Sequence, residues 1–200
     1  MGERKLLGAL RLGEEHYLHH ITTSSWYNNA TMPALPPDQV EAAVFAHLAA
    51  LGVAYEKIAC DPDLADTAAF CDHYGFPPRH SGNTIVVATQ KQPKKYCVCV
   101  VTATSRLDVN RTVRRLLDGG KCSFASADET MEITSMMIGG VTPFALPDNL
   151  PIFVDEQLMA LDYVIVGAGS RSAKVKISPG VFRQLPGAQI IPDLSRPRTD

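Results

Sequence analysis

The stretch Val164-Ile165-Val166-Gly167-Ala168-Gly169-Ser170-Arg171-Ser172-Ala173-Lys174-Val175-Lys176-Ile177-Ser178 decides between two fold classes. An apolar strand followed by Gly-x-Gly is how a dinucleotide-binding βαβ unit begins. Such a unit requires a helix directly after the glycines, because the helix N-terminus receives the pyrophosphate. Here Ala173, Val175 and Ile177 alternate with Lys174, Lys176 and Ser178, a period of two that predicts a strand. Ser172 stands where the third glycine would be, and too little chain follows for a second crossover. The segment reads as strand, glycine turn, strand.

Working outward, Ile138-Gly139-Gly140-Val141-Thr142-Pro143-Phe144-Ala145-Leu146-Pro147 cannot continue a helix or sit in a central strand. Glycine permits φ > 0 and close approach of other atoms to bare backbone. Proline fixes φ and removes an N–H. Together they predict a rigid loop with backbone groups directed outward at a ligand, set against the plainer reading of an ordinary turn. Two continuous apolar runs, Thr84–Thr89 and Tyr96–Thr102, predict strands central in a sheet, joined by a lysine-rich loop over 90–95. Val40, Val44, Leu48 and Leu51 carry a helical period, with Asp38 as its expected start cap, that stops at Gly52. Further helices are predicted over 64–74, over 109–117 with Asp108 as cap, and over 128–136. Strands are predicted over 53–60, 122–125, 152–154, 163–166 and 189–191, with a short helix from Pro179 to Leu185. Residues 3–19 read as a short helix followed by a loop. Strands and helices mix without strict βαβ alternation, so the expected class is α+β, with a mixed sheet.

The 200 residues suit one domain with a sizeable core. With a net charge of −2 there is no global basic field, so any nucleic-acid contact must come from a local patch. Candidate patches are Lys91, Lys94 and Lys95; Arg106, Arg111, Arg114 and Arg115; and Arg171, Lys174 and Lys176, each also readable as a solvated face. The five cysteines show no zinc spacing. Cys97 and Cys99 would share a strand face, and reduced buried thiols fit them better than metal ligation. His16, His19 and His20 lack carboxylate or thiolate partners nearby and read as an exposed helix face. No metal and no organic cofactor is expected. The first 15 residues form neither a secretory core nor a membrane span, which predicts a cytoplasmic protein with no membrane partner.

Gly139-Gly140-Val141-Thr142-Pro143, then Ile152-Phe153-Val154-Asp155, then the Gly167–Ser170 segment resemble, in order and spacing, the YbaK/prolyl-tRNA synthetase-associated domain family of aminoacyl-tRNA editing proteins. Asn83-Thr84-Ile85-Val86-Val87 and Leu107-Asp108-Val109-Asn110 also fit its pattern. The resemblance runs from about Asp38 to Ile191 and leaves residues 1–37 as an N-terminal extension to a domain over 38–200. It implies a curved mixed sheet with a partly barrel-like centre and flanking helices. It also implies hydrolysis of a mischarged aminoacyl-tRNA by water. Gly139, Gly140 and Asn83 would then be catalytic. Val141, Thr142, Pro143, Gly167, Gly169 and Ser170 would bind substrate, with Asp155 either contacting substrate or capping a turn. The implied partner is a tRNA acceptor end, with an aminoacyl-tRNA synthetase as a candidate second partner and no role for DNA. Many family members carry lysine where this chain has Asn83, and an amide brings no charge to an oxyanion or phosphate. That departure keeps open a non-catalytic module that retains the cleft and binds aminoacyl-tRNA or a nucleotide.

Overall fold

The apolar runs that open the central sheet form β2 (Gly82–Thr89) and β3 (Tyr96–Thr102), antiparallel with Gly82 opposite Thr102 and Ala88 opposite Tyr96. In the computed structural model, residues 35–118 and 120–198 are described. Strands β1 (Tyr55–Ala59), β4 (Ser105–Leu107), β5 (Cys122–Phe124), β6 (Ile152–Asp155), β7 (Val164–Gly167), β8 (Ala173–Ile177), β9 (Ala188–Ile191) and β10 (Ser195–Pro197) complete the set. Five strands form one sheet in the order β5-β2-β3-β6-β9, with β6 parallel to both β3 and β9. A second sheet has the order β1-β8-β7, all antiparallel. The short pair β10-β4 lies apart from both.

β8 is a strand, antiparallel to β7, so the Gly-x-Gly segment is a connection between paired strands. The two larger sheets meet along β2 and β7, where Ser81 bridges Ile165. Gly82 makes this meeting possible: a Cβ there would lie 2.9 Å from Val166 Cγ1 and 3.0 Å from Val164 Cγ2.

Both faces of β3 are buried, as its unbroken apolar run predicts. Val100 faces a core shared with Val154, Val164, Val166, Val175 and Phe182, onto which helix α1 (Pro37–Ala50) lays Val40, Val44 and Leu48. Cys97, Cys99 and Val101 face a second core with Val113, Leu117 and Leu194. The Cys97 and Cys99 sulfurs lie 3.8 Å apart and fully buried. Truncating a large core side chain such as Phe182, fully buried, should cost about 3–5 kcal/mol.

Three local expectations are corrected. Asp38 lies in the first turn of α1 and does not cap it; Pro36 holds the cap position with no side-chain bond. The segment after Asp108 opens with a π-turn, Val109–Val113, before the short helix α3 (Arg114–Leu116). Asp108 makes no cap bond and instead accepts from Arg196 at 2.8 Å. β4 and β10 were not expected at all. The helix expected over 3–19, with its histidines, lies outside the described residues. Helix α2 (Thr67–Tyr74) ends at Gly75 in the left-handed region, φ 73°. No helix among the described residues is long and apolar enough to cross a membrane.

Helix α4 (Ala127–Thr134) begins one residue before the expected start because Ser126 caps it. The Ser126 hydroxyl accepts from Glu129 N–H at 3.1 Å, and the Glu129 carboxylate accepts from Ser126 N–H at 2.9 Å, a reciprocal capping box. Lys94 also donates to Glu129, and that bond with the Ser126 amide holds its carboxyl down to about 2. A depressed carboxyl stabilises the fold above its ordinary value near 4.3 and loses that contribution as pH falls towards about 2. Ser126→Ala should lower stability by about 1 kcal/mol, seen as a lower denaturant midpoint at unchanged slope. Glu129→Gln should flatten the acid limb of the stability profile between those two values.

Candidate functional site

β2 supplies one wall of a cavity of about 290 Å³, through residues 82–86. The opposite wall comes from Ile138, Gly139 and Val141 of the glycine loop, with Gly167 and Lys174 from β7 and β8. Asp66 and Thr67, at the start of α2, and Phe124, at the end of β5, border it. Three segments well separated in sequence, around Asn83, Gly139 and Gly167, thus share one cleft.

The closeness of the walls depends on missing side chains. A Cβ on Gly167 would lie 2.3 Å from the Gly140 carbonyl oxygen and 2.4 Å from that of Val141. A Cβ on Gly140 would lie 2.5 Å from the Ser170 carbonyl oxygen. The glycine loop is therefore seated against the 167–170 segment backbone to backbone, fixed by Gly169 N–H donating to Gly140 O at 2.8 Å. Gly139 has φ 90°, a conformation that only glycine adopts freely. Loop carbonyls expected to point outward are in part engaged internally. Gly140 O binds Gly169, and Gly139 O accepts from Lys174 Nζ at 2.6 Å.

Lys174, a candidate for a nucleic-acid patch or else a solvated face, is 7% exposed. Strand alternation does turn it away from the Val175 core, but α2 covers that other face with Phe70 and Cys71. Its ammonium donates to Ala65 O at 2.7 Å and Gly139 O at 2.6 Å, and lies 5.6 Å from the Phe70 ring centre. An ammonium has three donors, so one remains for the cavity that Lys174 lines. Burial pushes its pKa down. Arg171, also expected on a basic face, clamps two loops. Its Nε donates to Pro62 O at 2.9 Å and its Nη1 to Ile138 O at 2.9 Å, with Asp66 Oδ1 at 3.3 Å.

Asn83 lines the cavity, and its side-chain carbonyl accepts from Thr67 Oγ1 at 2.7 Å, leaving its amide group to donate. Beside it, Thr84 Oγ1 is buried with no hydrogen-bond partner among the described residues. Buried hydroxyls are rarely left this way, and one beside a cavity marks a place for a polar ligand group.

Other expected site residues lie off the cavity. Thr142 is fully buried beneath the loop, with its N–H 3.4 Å from Met136 Sδ, and Pro143 is buried beside it. Ser170 is buried and donates to Glu41 of α1. Burial opposes ionisation of Glu41, but hydrogen bonds from Lys57 and Ser170 outweigh it and hold its carboxyl below the usual range. Gly169 packs on α1, where a Cβ would lie 2.8 Å from Val40 Cγ1. Asp155 is fully buried; Oδ1 accepts from Gln157 N–H at 3.0 Å and Oδ2 from the Ser195 hydroxyl. Of its two readings the turn cap is the one observed. Among the described residues no cluster of three potential metal ligands occurs.

The aminoacyl-tRNA editing domain model matches residues 61–185. YwhH, an uncharacterized protein of Bacillus subtilis (strain 168), is 28% identical over 82 residues, which is 41% of this chain and 52% of that protein. The alignment thus spans about half the length of that curated relative. Among solved structures, the hypothetical protein APE2540 matches with a TM-score of 0.69 and 25% identity, over 77% of this chain and 99% of that one. A protein provisionally described as a trans-editing enzyme for prolyl tRNA synthetase matches with a TM-score of 0.68 and 24% identity, over 81% and 99%. The second likeness establishes the mixed α/β fold, while the matched domain covers more than half of the chain. This chain belongs to the aminoacyl-tRNA editing domain family.

Proposed function

We propose that this protein hydrolyses the ester bond of a mischarged aminoacyl-tRNA in the cleft between β2 and the glycine loop. The observation that carries this reading is the convergence of Lys174, Asn83, Gly139 and Val141 on one small cavity. Water adds to the ester carbonyl carbon, the carbon–oxygen bond to the terminal ribose breaks, and the ribose oxygen takes the proton that water gives up. Amino acid and tRNA leave separately. Aminoacyl esters are activated enough that positioning and oxyanion stabilisation suffice without a protein nucleophile. Lys174 offers its remaining N–H to the oxyanion, supplying the charge that Asn83 lacks. Asn83 and Thr84 hold the substrate's polar groups. The narrow cleft favours a small aminoacyl group.

Asn83→Ala removes a neutral hydrogen bond worth about 0.5–1.5 kcal/mol, so kcat/KM for deacylation should fall about 2- to 10-fold. Single-turnover deacylation of a mischarged tRNA by the two proteins checks this. The presence of asparagine at the family's lysine position favours a second reading, a binding module without chemistry. It would be recognised by tight binding of aminoacyl-tRNA with no acceleration of its hydrolysis by either protein.

A further inference from the structure

Two further hollows follow the cleft in series, the first of them along the edge strand β5. Phe124 borders both the cleft and a groove of about 570 Å³ lined by Arg106, Lys121 and Arg196. Asn110 borders both that groove and a hollow of about 370 Å³ lined by Arg111, Arg114 and Arg115. The two hollows gather six cations against two acids, Asp108 and Asp118, on a chain whose net charge is −2. Only Arg196 has an ion-pair partner among the described residues, Asp108.

Two details point to an anionic chain as occupant. Arg106 and Arg196 stand directly opposite each other across β4 and β10. Like charges in that position repel, and backbone phosphates laid one against each relieve the repulsion. Phe124 is 58% exposed, an aromatic left in solvent at the mouth of the cleft. Unstacked bases of a single strand bind such platforms whatever their sequence.

We infer that this face holds the acceptor arm of the tRNA. The single-stranded 3′ end stacks on Phe124 as it enters the cleft, and the phosphates behind it lie along Arg106, Arg196 and Lys121, then Arg111, Arg114 and Arg115. This rests on the deacylase reading for the direction of the strand, but binding can be tested without any chemistry. The experiment measures binding of uncharged tRNA across a salt series for wild type, Arg106→Ala/Arg196→Ala, Phe124→Ala and, as a control, Lys176→Ala, whose lysine pairs with Glu56. The double variant should lower the slope of log affinity against log salt by about 1.4–1.8, the value for two phosphate contacts. Phe124→Ala should weaken binding about tenfold and Phe124→Trp should preserve it. Lys176→Ala should match wild type.

A parallel assay compares an aminoacyl-tRNA with 3′-aminoacyl-adenosine, which carries no acceptor-stem phosphates. The double variant should lose kcat/KM on the tRNA and keep it on the small ester. Unchanged tRNA affinity and salt slope in both groove variants, or no tRNA binding by wild type, overturns the surface assignment and leaves the deacylase reading standing. Binding with the expected slopes but no hydrolysis of either ester supports the surface and removes the deacylase.

Discussion

Lys174→Met should reduce kcat/KM for aminoacyl-tRNA deacylation about 10- to 150-fold while the protein stays folded. A hydrogen bond from a charged donor contributes about 1.5–3 kcal/mol, and each ~1.4 kcal/mol is tenfold in rate. The variant leaves Ala65 O and Gly139 O without their donor, but it also relieves the burial of an ammonium, so the net change in stability should be small. Lys174→Arg should not restore the rate, because a planar guanidinium does not fit the position of a compact ammonium held between two carbonyls. A pH series separates the roles. Burial lowers the folded-state pKa, so between that value and the ordinary lysine value the unfolded chain binds more protons. Wild-type stability should therefore rise with pH across that window relative to Lys174→Met. Enzymatic rate, corrected for spontaneous ester hydrolysis, should fall over the same window as the ammonium loses its proton.

Gly167→Ala should have a comparable effect on activity for a different reason. The added carbon would meet the backbone oxygens of Gly140 and Val141 at 2.3 and 2.4 Å, and no flexible side chain is there to yield. The glycine loop must move away from β7, which breaks the Gly169–Gly140 hydrogen bond and shifts Gly139 within the cleft. Overpacking of this kind costs about 1–3 kcal/mol of stability, and a displacement near 1 Å at a reacting centre can cost about 100-fold in rate. Gly180→Ala serves as the control, since its new carbon would approach nothing closer than Ser178 Oγ at 3.6 Å. It should change neither the denaturant midpoint nor kcat/KM appreciably. Equal behaviour of the two variants would mean that the backbone seat of the loop is not what forms the cleft.

The parts of this fold that could be read from sequence are those where local pattern and tertiary environment agree. The apolar runs Ile85–Ala88 of β2 and Cys97–Val101 of β3 mark strands set deep in the fold, and the alternation in Ala173–Ile177 rules out a helix after Gly169. β4 and β10 leave no mark in the sequence because three-residue strands such as Ser105-Arg106-Leu107 and Ser195-Arg196-Pro197 carry no periodic signal. Their pairing is set by chain segments about 90 residues apart.

The candidate site divides in the same way. The glycines and Asn83 stand out in sequence because backbone approach and strand position leave local traces. Lys174 did not stand out, since strand alternation says only that it leaves one core. The α2 residues that cover its other side, Phe70 among them, lie about 100 positions earlier. Thr142, Pro143, Ser170 and Asp155 belong to motifs that shape the loops. Their side chains are spent on packing, on Glu41, and on the Gln157 and Ser195 bonds.

The most direct measurement is the deacylation rate of a panel of tRNAs, each charged with a correct or an incorrect small amino acid, with wild type and Lys174→Met side by side. At least one mischarged tRNA should lose its amino acid far faster with wild type than in buffer, its correctly charged counterpart should be spared, and Lys174→Met should remove most of that acceleration. Hydrolysis no faster than buffer for every member of the panel, under conditions where wild type binds the tRNAs, would contradict the account.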